Sequence, residues 1–356
     1  MTDSTILDSA EAMARIDRDG MGDRIDAFPA QLRTGAGIAE EVLDRLDAGR
    51  PRRVVLFGMG GSAIAGDLAR GLIDREGAIP LHVSRHYEPP SWVAPEDFLV
   101  FSSYSGETEE TLWTYGQMRG RTEDTLVITT GGTLAKLAAE DGVPIAKLPP
   151  GHPPRAALGY SVSTLLHVLA HRGLLSDGPA RIEAAAKAVE VVASACGRGV
   201  LQSRNSAKQL AIRLVDRALV LIANERTLGP ASLRWKGQLN ENSKHLAWAS
   251  PLPEMNHNEV DSYASPARLV GSVAAVLLRD PGDHPRIVAR FRWLERYFAE
   301  RGVQVETVEA PEGDPMSRVL GCVALGDWVS YYLAILHGSD PSALPGVTSL
   351  KQALSR

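Results

Sequence analysis

The chain alternates short, fully apolar runs with longer stretches of helical periodicity. Arg52-Arg53-Val54-Val55-Leu56-Phe57-Gly58 sets large apolar residues side by side and then stops on glycine. With no polar face, such a run suits a strand buried on both sides of a parallel sheet. Residues 80–85, 98–103, 125–130 and 143–148 predict further strands. Between them, 62–72, 108–118 and 133–139 carry apolar residues at helical spacing and predict helices. Strands alternating with helices in this way form the pattern of a doubly wound α/β sheet.

Upstream, residues 1–50 predict a polar, acidic helical lead-in with breaks near 20–22 and 35–37. Downstream, Pro149-Pro150-Gly151-His152-Pro153-Pro154 is the strongest punctuation in the chain, because each proline fixes φ and lacks a donor. It joins the first series to a helical connector at 156–174 and 181–195. A second series follows, with strands at 218–223, 246–249, 267–278 and 303–308 and helices at 229–244, 285–301 and 315–336. The pattern predicts two doubly wound parallel-sheet units with helical connectors. Their bounds are a lead-in at 1–50, a first unit at 51–155, a connector at 156–200 and a second unit at 201–356.

Composition narrows the class. Of 356 residues, 44% are hydrophobic and 23% charged, as in a globular chain with a sizeable core. The formal net charge of −5 supplies no global field for nucleic acid or an anionic membrane, so an anionic ligand needs local groups. Cys196 and Cys322 are the only cysteines; their apolar surroundings suit small core residues, not a disulfide framework. The N-terminal segment lacks the basic start and apolar centre of a signal peptide. No run is read as a membrane span, and a cytoplasmic location is expected. His82 and His86 fall on a strand-like stretch, where i and i+4 share a face yet stand too far apart to share an ion. No metal or cofactor is called for.

Two segments carry candidate binding chemistry. Gly58-Met59-Gly60-Gly61-Ser62 closes the first strand and opens a helix. Glycines let backbone approach a ligand, and helix N-termini favour anions. The absence of Gly-Lys-Ser/Thr excludes a Walker loop, and Ala63 breaks a dinucleotide fingerprint. Ser102-Ser103-Tyr104-Ser105-Gly106-Glu107-Thr108 does the same at a second strand end, with hydroxyls around one glycine. Either loop alone reads equally as helix capping. Two at consecutive strand ends of one sheet converge where open sheets bind ligands. They predict a phosphate cradle of Gly60, Gly61, Ser62, Ser103, Ser105 and Thr108.

The second unit holds the densest polar cluster. Asn240-Glu241-Asn242 flanks a carboxylate with two amides, and Asn256-His257-Asn258 repeats the arrangement around an imidazole. Arg234, Gln238, Glu241 and His245 recur at helical spacing along one predicted face. That face reads either as solvated ion pairs or as a site. The amides predict an oriented base at Glu241, whose pKa burial in a closed cleft raises.

The two glycine–serine segments resemble the sugar isomerase (SIS) superfamily, whose modules bind phosphosugars. With Asn-Glu-Asn and Asn-His-Asn, the chain from about 50 to 352 resembles the bifunctional phosphoglucose/phosphomannose isomerases. The resemblance implies two SIS-type, flavodoxin-like subdomains and interconversion of glucose 6-phosphate, and mannose 6-phosphate, with fructose 6-phosphate. It implies Glu241 as the base moving a proton between C1 and C2, and Arg155 as the stabiliser of the enediolate. It also implies His257 and Lys351 as aids to ring opening, and a homodimer in which His257 reaches the second copy's site. Two positions depart from the family pattern. Glu107 replaces an asparagine in the cradle, and Leu344 replaces a threonine credited with admitting both C2 epimers. A phosphosugar sensor using the same cradle without catalysis is the competing reading.

Overall fold

A computed structural model of the chain describes residues 4–76 and 79–354. Three helices lead in: α1 (Ala10–Ile16), α2 (Met21–Asp26) and α3 (Phe28–Leu43). The first series follows as β1 (Val54–Gly58), α4 (Gly60–Glu76), β2 (Leu81–Ser84), β3 (Phe98–Ser102), α5 (Glu109–Met118), β4 (Thr125–Thr129), α6 (Gly132–Glu140) and β5 (Ile145–Lys147). Helices α7 (Leu158–His171), α8 (Gly178–Cys196) and α9 (Ser206–Leu214) connect it to the second. That series comprises β6 (Ala218–Asn224), α10 (Gly229–Asn242), β7 (Ala247–Leu252), α11 (Met255–Asn258), α12 (Ala267–Val270), β8 (Val273–Arg279), α13 (Pro285–Ala299), β9 (Gln304–Glu309), α14 (Pro315–Leu336) and α15 (Pro345–Leu354).

Both sheets are parallel throughout. The first has the order β2-β1-β3-β4-β5 and the second β7-β6-β8-β9. Strands β1, β3 and β4 are buried at every position, as their continuous apolar runs require. Alternate residues feed different layers. Leu56 and Val100 join a central core with α4, α7, α8, α10 and α14, while Phe57 and Phe101 face α5 and α6. In the second sheet, Leu221 and Val276 join the same central core, whereas Ile222 and Leu277 pack on Phe291 and Leu294 of α13. The two sheets therefore share one helical middle layer.

Several expectations change. Helix α3 runs unbroken past residues 35–37. A side chain at Gly35 would collide with the Tyr160 carbonyl and the Ser163 hydroxyl of α7, so this glycine permits close helix packing and does not end a helix. The run 267–278 divides: α12 comes first, and β8 begins at Val273, where its register meets Ala218. Helices α9 and α15 were not expected at all. Helix α14 is long and apolar enough to span a membrane by length and composition, contrary to the sequence reading. Within this fold, 94% of its apolar window is buried against protein, which makes it the core helix. Cys196 and Cys322 are buried and free, and burial pushes the Cys322 thiol up to about 12.

Candidate active site

Gly58 of β1 pairs with Ser102 of β3, so the two loops that follow leave the sheet side by side. A Cβ on Gly58 would lie 2.8 Å from the Ser102 carbonyl oxygen. The loops are knitted together: Ser62 Oγ accepts from the Tyr104 N–H at 3.3 Å. Ser103 Oγ lies 2.8 Å from Thr108 Oγ1 and accepts from the Gly106 N–H at 3.1 Å. Ser105 Oγ accepts from the Glu107 N–H at 3.2 Å. Thr108 occupies the N-cap position of α5 without capping it; its hydroxyl turns into the loop. Simple helix capping therefore does not account for these hydroxyls. Gly60 (φ +49°) and Gly106 (φ +70°) adopt left-handed backbone, which costs most residues free energy.

Glu107 has its own partner. Its carboxylate accepts from the Thr133 N–H at 2.7 Å and lies 3.0 and 3.1 Å from the Thr133 hydroxyl. It caps the start of α6, where a negative charge is favourable. That bonding answers the question its sequence position raised.

Gly61 joins the first of these loops to the proline-rich linker. A Cβ there would lie 2.9 Å from the Pro154 carbonyl oxygen and 3.4 Å from Arg155 Cα, so the first turn of α4 rests on the linker only because residue 61 is glycine. Further along α4, a Cβ on Gly71 would lie 3.1 Å from Pro230 Cγ at the start of α10. The two helices are thus antiparallel, and the N-terminus of α4 lies at the C-terminal end of α10, with Glu241 and Asn242.

Arg155 joins these parts. Its side chain is 4% exposed, and its Nη1 lies 3.8 Å from Glu241 Oε2. Nε donates to Asn242 Oδ1 at 2.7 Å, and Nη2 donates to the carbonyls of Pro341 and Ser342 at 2.8 and 2.9 Å. Burial, which disfavours the charged form, lowers its pKa against the pull of Glu241. Behind it, Arg234 donates to the Arg155 carbonyl at 2.6 Å and to Asp327 at 2.9 and 3.1 Å. Asp327 is buried in α14, and burial raises its pKa while Arg234 opposes the rise.

Sequence reasoning missed Asp327, although a lone carboxylate in an apolar helix must find a partner. It also missed Ser330, whose hydroxyl accepts from Asn242 Nδ2 at 3.0 Å. Arg234 and Gln238 are buried, not solvated, and His245 lies beyond α10, bonded to His337 and the Arg217 carbonyl. The asparagines flanking Glu241 do not orient its carboxylate: Asn242 holds Arg155, and Asn240 Oδ1 accepts from the Ala247 N–H at 3.2 Å. The closed, desolvated cleft expected around Glu241 is absent from the single chain, since its side chain is 38% exposed.

His257 stands elsewhere. Helix α10 leaves the carboxyl end of β6 and spans 14 residues with Glu241 next to last, about 18 Å of rise from its start. His257 follows the carboxyl end of β7, the end of the parallel strands from which α10 runs away, so one chain does not bring them together. Lys351 is exposed on α15, a helix with no buried residue. Leu344 immediately precedes α15, its carbonyl accepting from the Thr348 N–H at 3.0 Å. The second sheet carries no equivalent of the cradle. Beyond β6, the Asp283 carboxylate accepts from Asn224 Nδ2 at 2.8 Å, Thr227 Oγ1 at 2.7 Å and the Asp280 N–H at 3.0 Å.

Comparison with known proteins agrees with this architecture. Residues 203–354 match the bacterial phospho-glucose isomerase C-terminal SIS domain. A bifunctional phosphoglucose/phosphomannose isomerase of Caldicellulosiruptor bescii is 33% identical over 328 residues, covering 92% of this chain and 97% of that one. One from Aquifex aeolicus is 33% identical over 306 residues, covering 85% and 90%. The solved C-terminal domain of glucosamine-fructose-6-phosphate aminotransferase from Francisella tularensis shares the fold, with a TM-score of 0.66 at 15% identity, covering 89% of this chain and 96% of that one. Identity of this extent over nearly the full length places the chain in the bifunctional phosphoglucose/phosphomannose isomerase family.

Proposed function

We propose that the protein interconverts glucose 6-phosphate and fructose 6-phosphate through a cis-enediol, working as a cytoplasmic homodimer. The observation that carries this reading is the continuity from the cradle at Gly61, through Pro154–Arg155, to Glu241. A sugar phosphate lying along that path has its phosphate on Ser62, Ser103, Ser105 and Thr108 and its C1–C2 end beside Glu241. One carboxylate then takes a proton from one carbon and returns it to the other on the same face. Arg155 places fixed positive charge where the enediolate oxygens develop theirs, the electrostatic contribution that usually dominates such catalysis. Its three bonds and ion pair hold that charge in place before substrate arrives.

His257, one helix length from Glu241 in its own chain, acts in the site of a second copy, where an imidazole suits ring opening near neutral pH. Exposed Val347, Leu350 and Leu354 on α15 support assembly, because an amphipathic helix with no buried residue has unfinished packing. Assembly also supplies the closure that Glu241 lacks, and Lys351 rides on the same helix. With Leu344 immediately before α15, mannose 6-phosphate turns over more slowly than glucose 6-phosphate.

A coupled assay with fructose 6-phosphate and no added metal tests the reading. Glucose 6-phosphate should form at neutral pH. Thermal stabilisation by fructose 6-phosphate without any turnover contradicts the enzyme and leaves the sensor.

A further inference from the structure

His257 sits on α11, four residues long, too short to hold its own conformation by helical hydrogen bonds. Its orientation is fixed from both sides by other elements. On one side, Asn256 Oδ1 accepts from Arg290 Nη1 of α13 at 2.9 Å. On the other, the Glu259 carboxylate accepts from the Ser250 hydroxyl of β7 at 2.6 Å, the Tyr263 hydroxyl at 2.8 Å and the Trp248 indole N–H at 3.4 Å. Burial first, and then the Glu259 charge, raise the Tyr263 pKa, so its hydroxyl stays a donor. Within the turn, Asn258 Nδ2 donates to Glu254 Oε1 at 2.8 Å. None of these bonds uses the imidazole, which remains exposed. They fix the backbone that carries it, from a strand on one side and a helix on the other.

We infer that Arg290 and Glu259 are positioning residues, a two-sided clamp that aims His257 out of its own chain. The inference rests on the assignment of His257 made above. A ring-opening group that must reach a second copy gains nothing from a loose tether, since misplacement by about 1 Å can cost on the order of a hundredfold in rate. Asn256 is then the handle of the clamp on the α13 side, while Asn258 braces the turn itself through Glu254. The residue types fit. Arg290 offers a charged donor to a neutral amide, a bond stronger than a neutral pair. Glu259 takes three donors at once, which a glutamine in its place cannot accept on two oxygens.

The full-length protein tests this with Arg290→Met, Arg290→Lys, Glu259→Gln, His257→Ala and the double variant His257→Ala/Arg290→Met. Arg290→Met should lower kcat about tenfold while KM stays within twofold, and Arg290→Lys, which keeps a donor, should recover part of the loss. Glu259→Gln, nearly isosteric, should show the same kcat-specific loss. The double variant should be no slower than His257→Ala alone, because residues acting through one group are not additive. Wild-type kcat in both Arg290→Met and Glu259→Gln overturns the clamp. So does a further tenfold loss in the double variant, which marks an independent structural role. Wild-type turnover by His257→Ala removes the assignment of His257 itself, and that outcome is read separately from the clamp variants.

Discussion

Replacing Gly61 by alanine tests the joint between cradle and catalytic end. The new Cβ would lie 2.9 Å from the Pro154 carbonyl oxygen, against an ordinary contact of 3.4 Å or more, and 3.4 Å from Arg155 Cα. The neighbour is backbone, so relief requires the linker to retreat by about 0.5 Å, the difference between those contact distances. Overpacking of this kind costs about 1–3 kcal/mol of stability, partly offset because alanine favours a helix by roughly 1 kcal/mol. The larger effect falls on rate, since Arg155 moves relative to a phosphate still held by the serines. A displacement of this order costs about ten- to a hundredfold in kcat. Gly66→Ala on the same helix is the control: its Cβ also meets an atom at 2.9 Å, but that atom is Val83 Cγ2, a side-chain methyl away from the linker. Steady-state kinetics and thermal denaturation of both variants give the answer. Gly61→Ala should lose kcat with a modest change in Tm, and Gly66→Ala should change Tm with kcat near wild type. If Gly61→Ala turns over within twofold of wild type, or if the two variants lose kcat equally, the joint does not position Arg155.

Further outcomes follow from the same geometry. Arg155→Lys keeps a charge but not the planar fork that spans Asn242 and the two carbonyls; kcat should fall about a hundredfold, measured by the coupled assay with KM followed in parallel. Burial holds the pKa of His245 and of His337 below the usual value, so the unfolded chain takes up protons on these residues before the folded one does. Stability is then full above about pH 6.5 and falls as pH drops from there towards the folded pKa values. Urea unfolding at several pH values should show this slope, reduced in His337→Gln by less than about 1.4 kcal/mol per pH unit. Leu344→Thr should raise mannose 6-phosphate turnover relative to glucose 6-phosphate by roughly tenfold, read by comparing kcat/KM for the two sugars.

Much of the fold was legible because its strands are buried on both faces and their runs admit little else. Legibility failed where a residue's meaning lies in a distant neighbour. Gly35 reads as a helix breaker until Tyr160 and Ser163 are packed against it. The 267–278 run reads as one strand because Ala267, Leu269 and Val270 lead almost directly into the apolar strand that follows. The sequence singles out Glu241 and Arg155 from separate segments, and the fold brings them to 3.8 Å. The amides beside them were misassigned: Asn242 serves Arg155, 87 positions earlier in the chain, a pairing no local pattern records. Sequence spacing also set Glu241 and His257 in one constellation, whereas the parallel sheet puts them toward opposite ends of its strands.

The central claim is that Glu241 moves a proton between C1 and C2 of a sugar held by the cradle. Proton NMR of fructose 6-phosphate incubated with the enzyme in heavy water measures that transfer directly. The wild type should place deuterium at C2 of part of the glucose 6-phosphate formed, as the proton held on Glu241 exchanges with solvent, and carry the C1 proton to C2 in the rest. Glu241→Gln should place none, while still being stabilised against heat by fructose 6-phosphate. Deuterium incorporation by Glu241→Gln at the wild-type rate contradicts the account.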